Sequence, residues 1–277
     1  MISVKDFTRD KVIHYIKKAD NMPQMCQDKT LINLFYEPST RTSCSFHTAM
    51  LKLGGNVIEI TDNSSAKKGE SLEDTIKTVS NYGDIIVLRH PEKGAAERAA
   101  KVSTIPLINA GDGNGEHPTQ ALLDIYTIYQ ESTKDILNDE LIVTFVGDIK
   151  NSRTIHSLIH LLNLFRVTYI FISPPGLELE TSGLNILNLS LEEALKITDV
   201  VYVTRIQKER SNEEFKPICL SKEILGTKNF IIMHPLPRQE ELPLEIDNDP
   251  RAVYFKQVAY GVKMRMAILH ECLILKN

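Results

Sequence analysis

Short apolar runs rich in β-branched residues alternate with segments of helical period along almost the whole chain, and that alternation leaves few folds open. Residues 31–36 read as a buried strand; Phe46, Ala49, Met50 and Leu53 then recur at helical spacing and meet a stop at Gly54 and Gly55. Residues 56–60, 84–88 and 105–110 are further strand candidates. Between them lie a helix opened by Ser71-x-x-Asp74 and running through Leu72, Ile76 and Val79, and an alanine-rich helix over 95–102. The pattern then repeats. Strands are predicted over 141–146, 167–173, 200–204 and 230–233, with Ile155, Leu158, Ile159 and Leu162 on one helix face and Ser190-x-x-Glu193 opening another helix. Residues 258–275 read as a long closing helix. The expectation is an α/β protein of two domains, each a parallel sheet flanked by helices, with the active site in the cleft between them. The polar stretch 131–140 is the best boundary, and 277 residues suit two domains of ordinary size.

Composition serves mainly to exclude. A formal net charge of -4 provides no general attraction to nucleic acid, so a bound anion must meet a local cluster of positive charge. Cys26, Cys44, Cys219 and Cys272 lie far apart and form no C-x-x-C pair, against a structural zinc and against a disulfide framework. No apolar run approaches the roughly 20 residues that span a bilayer, and the polar first ten residues lack a signal-peptide core. A reduced, soluble, cytoplasmic protein is expected, with neither nucleic acid nor membrane as partner.

In parallel α/β folds, ligands gather at the carboxyl ends of the strands, and there the polar motifs sit. Ser39-Thr40-Arg41-Thr42 lies between a strand and a helix, where unpaired N–H groups and the helix dipole favour an anion. An ordinary Ser/Thr cap is the plain alternative, but capping has no need of the arginine. Arg89-His90-Pro91 ends a strand. His117-Pro118-Thr119-Gln120 follows a glycine-rich turn and offers an imidazole to a developing carbonyl charge. Arg153, Arg205 and Arg238 each follow a strand of the second half. Spaced guanidiniums suit a dicarboxylate, each gripping one end; as surface ion pairs they are worth little. Neither 111–116, with Glu116 at the third glycine position, nor 147–150 is a dinucleotide fingerprint, and no Walker motif occurs. His156 and His160 share a helix face, but Ser157 stands where a zinc protease needs Glu, so the pair reads as structural or as support behind the residues of a site.

Taken in order, the phosphate turn, Lys67-Lys68-Gly69-Glu70-Ser71, Arg89-His90-Pro91, His117-Pro118-Thr119-Gln120, Val146-Gly147-Asp148, Thr204-Arg205-Ile206-Gln207 and His234-Pro235-Leu236-Pro237-Arg238 resemble the catalytic chain of the aspartate carbamoyltransferase family, within the aspartate/ornithine carbamoyltransferase superfamily. The resemblance covers nearly the whole chain. It implies a carbamoyl-phosphate-binding domain over 1–130, completed by the helix 258–277, and an aspartate-binding domain over 131–257. Ser39, Thr40, Arg41 and Thr42 would hold the phosphate with Arg89, and Thr42, Arg89 and His117 the carbamoyl oxygen. Gln120 and the carbonyls of Leu236 and Pro237 would meet the carbamoyl NH2. Arg153 would grip the α-carboxylate of aspartate, and Arg205 and Gln207 its side-chain end. Ser64 and Lys68 would be donated by a neighbouring subunit, which implies at least a homotrimer. Glu37 would pair with Arg153 and Arg210 on domain closure. The implied reaction is carbamoyl transfer from carbamoyl phosphate to aspartate in pyrimidine synthesis, with no cofactor and no metal. The sequence leaves open a regulatory subunit or larger assembly.

Three departures qualify the resemblance. Ser43 replaces the family's usual arginine, the chain is shorter over 173–190, and the loop after Arg210 is short. Three rivals are weaker. An ornithine-using relative usually carries cysteine in the His-Pro-Leu-Pro motif, and Arg205 would repel a cationic amine. A non-catalytic scaffold would not need the intact set of Arg41, Arg89, His117, Gln120, Arg153 and Arg205. An oxidoreductase would need the missing glycine fingerprint.

Overall fold

A computed structural model describes residues 1–21, 26–61, 69–180, 182–207 and 215–274. The first half runs α1 (Arg9–Asp20), β1 (Thr30–Phe35), α2 (Thr40–Lys52), β2 (Asn56–Thr61), α3 (Leu72–Val79), β3 (Ile85–His90), α4 (Ala95–Val102) and β4 (Leu107–Asp112). After α5 (Pro118–Glu131) come β5 (Leu141–Val146), α6 (Arg153–Leu162), β6 (Val167–Ile172), α7 (Leu191–Ile197), β7 (Val200–Val203), α8 (Lys222–Leu225), β8 (Ile231–Met233) and α9 (Tyr254–Ile274).

The strands form two four-stranded sheets, ordered β2-β1-β3-β4 and β6-β5-β7-β8. Every pairing is parallel. Covered on both faces, the inner strands are near-continuous apolar runs, whereas edge strand β2 is largely exposed. The chain divides into two compact units, 1–123 with 258–277, and 124–257. In the first, Ile32, Leu34, Ile86 and Leu88 of the sheet pack with Ile76, Val79, Ala95 and Ala99 of α3 and α4. In the second, Val146, Val201, Val203 and Ile232 pack with Leu195, Leu225 and Tyr254.

Both sheets contain a point where the winding reverses. From β1 the chain goes outward to β2, then returns past β1 to β3; from β5 it goes to β6, then returns to β7. The crossovers diverge at the carboxyl ends of β1 and β3, and of β5 and β7, which opens a place for a ligand. Phe35 is level with Arg89 at the first reversal, and Val146 with Val203 at the second.

The predicted elements form, with shifted ends. β3 runs on through Arg89 and His90, and β4 takes in Gly111 and Asp112, because ladder pairing continues past the apolar run. α9 starts at Tyr254 rather than 258. α1, absent from the sequence reading, buries Val12, Tyr15, Ile16 and Ala19 on one face; its many charges dilute that signal. α8 is too short for periodicity to reveal.

Candidate active site

At the reversal point of the first sheet, Tyr36 N–H donates to the Arg89 carbonyl at 2.9 Å, which keeps the exit of β1 against the end of β3. One residue on, the Glu37 carboxylate accepts from Arg89 Nε at 3.0 Å, while Arg89 Nη1 reaches the Ala110 carbonyl at 3.4 Å. The β3–β4 register shifts between Leu88 and His90. Such irregularities re-aim a side chain, and this one flanks Arg89. His90 turns to local work: its Nδ1 accepts the Glu92 N–H at 3.0 Å, and burial lowers its pKa.

α2 follows. Ser39 is its N-cap residue, yet the Ser39 hydroxyl makes no capping bond and the first turn holds no acid. In α1, α3 and α7, by contrast, Thr8, Ser71 and Ser190 cap through their side chains and an acid sits in the first turn. Capping therefore does not account for the hydroxyl of Ser39. The helix dipole places positive character at the start of α2, an arrangement that suits an anion. Thr42 is buried there, and Thr40 and Arg41 are exposed.

Ser43 lies in a cluster that the sequence reading missed. Asn33 Nδ2 donates to the Ser43 hydroxyl at 3.0 Å and to the Glu59 carboxylate at 2.9 and 2.8 Å, and His47 Nδ1 lies 2.6 Å from Glu59 Oε1. Where a guanidinium is expected, a neutral hydroxyl is held beside a carboxylate on β2. Residues this far apart in sequence gave no local signal.

His117 is buried immediately before α5, its carbonyl accepting from the N–H groups of Gln120 and Ala121, each at 3.1 Å. The glycine-rich turn before it is sterically required. Gly113 has φ +51°, and a Cβ there would lie 2.3 Å from the Pro91 carbonyl. Glu116 instead anchors the N-terminal segment, accepting from Ser3 Oγ at 3.0 Å and Val4 N at 2.6 Å.

At the second reversal point, Gly147 has φ +117°, and a Cβ would fall 2.1 Å from the Thr204 carbonyl. Only glycine lets β5 and β7 leave the sheet this close together. Buried Asp148 accepts from Asn151 N and from Gln207 N, both at 3.1 Å, so one carboxylate ties the turn before Arg153 to the loop carrying Arg205 and Gln207. Arg153 is buried at the first position of α6, another helix without a side-chain cap or an acid in its first turn. Arg205 Nη1 donates to the Ile206 carbonyl at 3.2 Å. Arg238, the third strand-end arginine, is engaged locally: it pairs with Asp247, bonds the Tyr254 hydroxyl at 2.9 Å and stacks 5.4 Å from that ring. Between its neighbours Leu236 and Pro237 the peptide is cis, and Leu236 has φ +54°. The left-handed region costs an L-residue roughly 1–2 kcal/mol, so contacts must hold Leu236 there.

His156 Nε2 bonds the Ile149 carbonyl at 2.9 Å, in keeping with a structural role. Ser64, Lys68 and Arg210 lie outside the described residues. Among the described residues, no group of three or more His, Cys, Asp or Glu side chains is arranged to hold a metal ion, and no helix is long and apolar enough to cross a membrane.

Residues 1–130 match the carbamoyl-P binding domain of the aspartate/ornithine carbamoyltransferase family, and residues 139–272 match its Asp/Orn binding domain. The aspartate carbamoyltransferase catalytic subunit of Methanococcus maripaludis is 46% identical, with 97% of this chain and 96% of that protein aligned. The multifunctional protein CAD of Squalus acanthias is 47% identical over 97% of this chain, which spans only 13% of that much longer protein. The aspartate transcarbamoylase catalytic subunit of M. jannaschii superposes with a TM-score of 0.91 at 45% identity, over 100% of this chain and 98% of that one. The Trypanosoma cruzi enzyme, solved with carbamoyl aspartate and phosphate, gives 0.89 at 38% identity, over 99% and 95%.

Proposed function

The chain belongs to the aspartate/ornithine carbamoyltransferase family; it transfers the carbamoyl group of carbamoyl phosphate to L-aspartate in pyrimidine biosynthesis, and we propose that it does so with residues that follow the carboxyl ends of its strands. Residues 1–130 with 258–277 bind carbamoyl phosphate, and 131–257 bind aspartate. Ser39, Thr40, Arg41 and Thr42 take the phosphate at the start of α2, with Arg89 beside them. Thr42, Arg89 and His117 donate to the carbamoyl oxygen, while Gln120 and the carbonyls of Leu236 and Pro237 receive the carbamoyl NH2. Arg153 binds the α-carboxylate of aspartate; Arg205 and Gln207 bind its side-chain carboxylate.

The neutral amine of aspartate attacks the carbonyl carbon. An N–C bond forms, negative charge grows on the carbonyl oxygen, the C–O bond to phosphate breaks, and the amine proton leaves with the phosphate. Each preorganised donor to that oxygen is worth roughly 3–4 kcal/mol in the transition state. Holding two anionic substrates in line supplies much of the remaining acceleration.

One observation supports this reading: the helix proposed to receive the phosphate has no cap bond from the Ser39 side chain and no acid in its first turn, and Arg89 is bound to the turn leading into it. Ser64 and Lys68 come from a neighbouring chain of a homotrimer, and Glu37 pairs with Arg153 and Arg210 on closure. Four free cysteines support a reducing, cytoplasmic setting. The test is a transfer assay with carbamoyl phosphate, comparing aspartate with ornithine as acceptor. Carbamoyl aspartate should form and citrulline should not; the reverse would overturn the choice of acceptor.

A further inference from the structure

His234 and Glu241 are buried ionisable side chains, 1% and 3% exposed, to which the reaction described above gives no part. Their hydrogen bonds determine how the imidazole is protonated. His234 Nδ1 accepts the Leu236 N–H at 2.8 Å, so it carries a lone pair. Nε2 therefore bears the proton and donates it to Glu241 Oε1 at 2.9 Å. The same Glu241 oxygen accepts the Gln239 N–H at 2.8 Å, closing a clamp over 234–241. The clamp has a footing in the fold. His234 N–H donates to Gln257 Oε1 at 3.1 Å, and Gln257 Nε2 donates to Asp124 at 2.5 Å. Asp124 in turn accepts the buried Tyr202 hydroxyl at 2.8 Å.

The imidazole grips the N–H of the residue at φ +54°, a conformation that leucine adopts only when its surroundings impose it. A buried His–Glu hydrogen bond that merely closed a loop would have no reason to bear on that one peptide. We propose that His234 and Glu241 are positioning residues for the carbamoyl group, with Glu241 fixing the imidazole tautomer and His234 fixing the backbone whose Leu236 and Pro237 carbonyls receive the carbamoyl NH2. The proposal rests on the assignment of those two carbonyls made above. Burial, together with the positive charges of Arg238 and Arg205, lowers the His234 pKa, and Glu241 works against that shift. The imidazole is neutral at neutral pH. Once acid protonates Nδ1, the Leu236 N–H loses its acceptor and the clamp opens.

Acetyl phosphate provides the probe, because it carries a methyl group where carbamoyl phosphate carries NH2. Binding of carbamoyl phosphate, acetyl phosphate and inorganic phosphate is measured in the wild-type enzyme and in H234A, E241A and E241Q, with folding checked by circular dichroism. The wild type should prefer carbamoyl over acetyl phosphate. H234A and E241A should lose about tenfold of that preference, the worth of one hydrogen bond of the stronger kind, with inorganic phosphate unaffected. E241Q should recover most of the loss, since its amide oxygen can accept from both donors. With the carbamoyl-over-acetyl preference followed as a function of pH, the acid limb of E241Q should move to lower pH than that of the wild type, because the carboxylate that raises the His234 pKa is gone.

Folded alanine variants with an undiminished preference would overturn the proposal, as would equal losses for all three ligands. Should both alanine variants fail to fold, the E241Q acid limb decides: an unmoved limb overturns the proposal. A wild type without any preference would instead refute the carbonyl assignment beneath it.

Discussion

Arg41 and Arg89 differ in a way that matters for the chemistry. Arg89 is largely buried, its Nε on Glu37 and its Nη1 on a backbone carbonyl, so its direction is set before substrate arrives. Arg41 is exposed on the first turn of α2, where it adds positive charge to the helix end. Arg41→Ala should therefore leave the thermal midpoint within about 2 °C of wild type and lower carbamoyl transfer by at least roughly 10²-fold. Near-normal turnover in that variant would refute the phosphate assignment. Both arginines were legible as chemistry in the sequence, Arg41 because helix capping has no need of it and Arg89 because it ends an apolar run. Glu37 as partner of Arg89 was not legible, since the contact spans 52 residues and exists only once β1 and β3 pair.

Among the helices, α7 and α2 both follow a serine, but the two serines differ in what they do. Ser190 closes a reciprocal capping box with Glu193, whereas the hydroxyl of Ser39 does no such work. Ser190→Ala should cost about 1 kcal/mol, visible as a lower midpoint with activity retained. Ser39→Ala should leave the midpoint unchanged and weaken inorganic phosphate binding; a midpoint loss equal to that of Ser190→Ala would return Ser39 to a capping role. The sequence could not distinguish the two serines, since each precedes a helix. Ser190 was marked by Glu193 three residues on, and Ser39 only by Arg41. Elsewhere, element types followed periodicity closely while ends drifted, as at β3 and α9, because ladder and helix bonds outlast the apolar pattern that announces them.

For the molecule as a whole, the proposed trimer makes a prediction that no single chain can meet. Lys68→Ala and Arg41→Ala should each be inactive alone, yet reassembly of the mixture should restore activity, because some sites then join an intact Arg41 to a neighbour's intact Lys68. No recovery in reassembled trimers would show that each chain completes its own site. By itself, the sequence determined two parallel α/β sheets, the strand ends that carry the chemistry, and a family resemblance dense enough to name both substrates. Local periodicity and motif order are properties of neighbouring residues, so they survive without coordinates. Tertiary structure alone decided which partners those polar groups take. It showed that Ser39 does not cap, that Arg238 is taken by Asp247 and Tyr254, and that Ser43 sits in an Asn33–Glu59–His47 cluster. It also revealed that His234 and Glu241 clamp the Leu236 peptide. Each of these is a hydrogen bond whose partner is chosen by folding, and the pattern of residue types leaves that choice open.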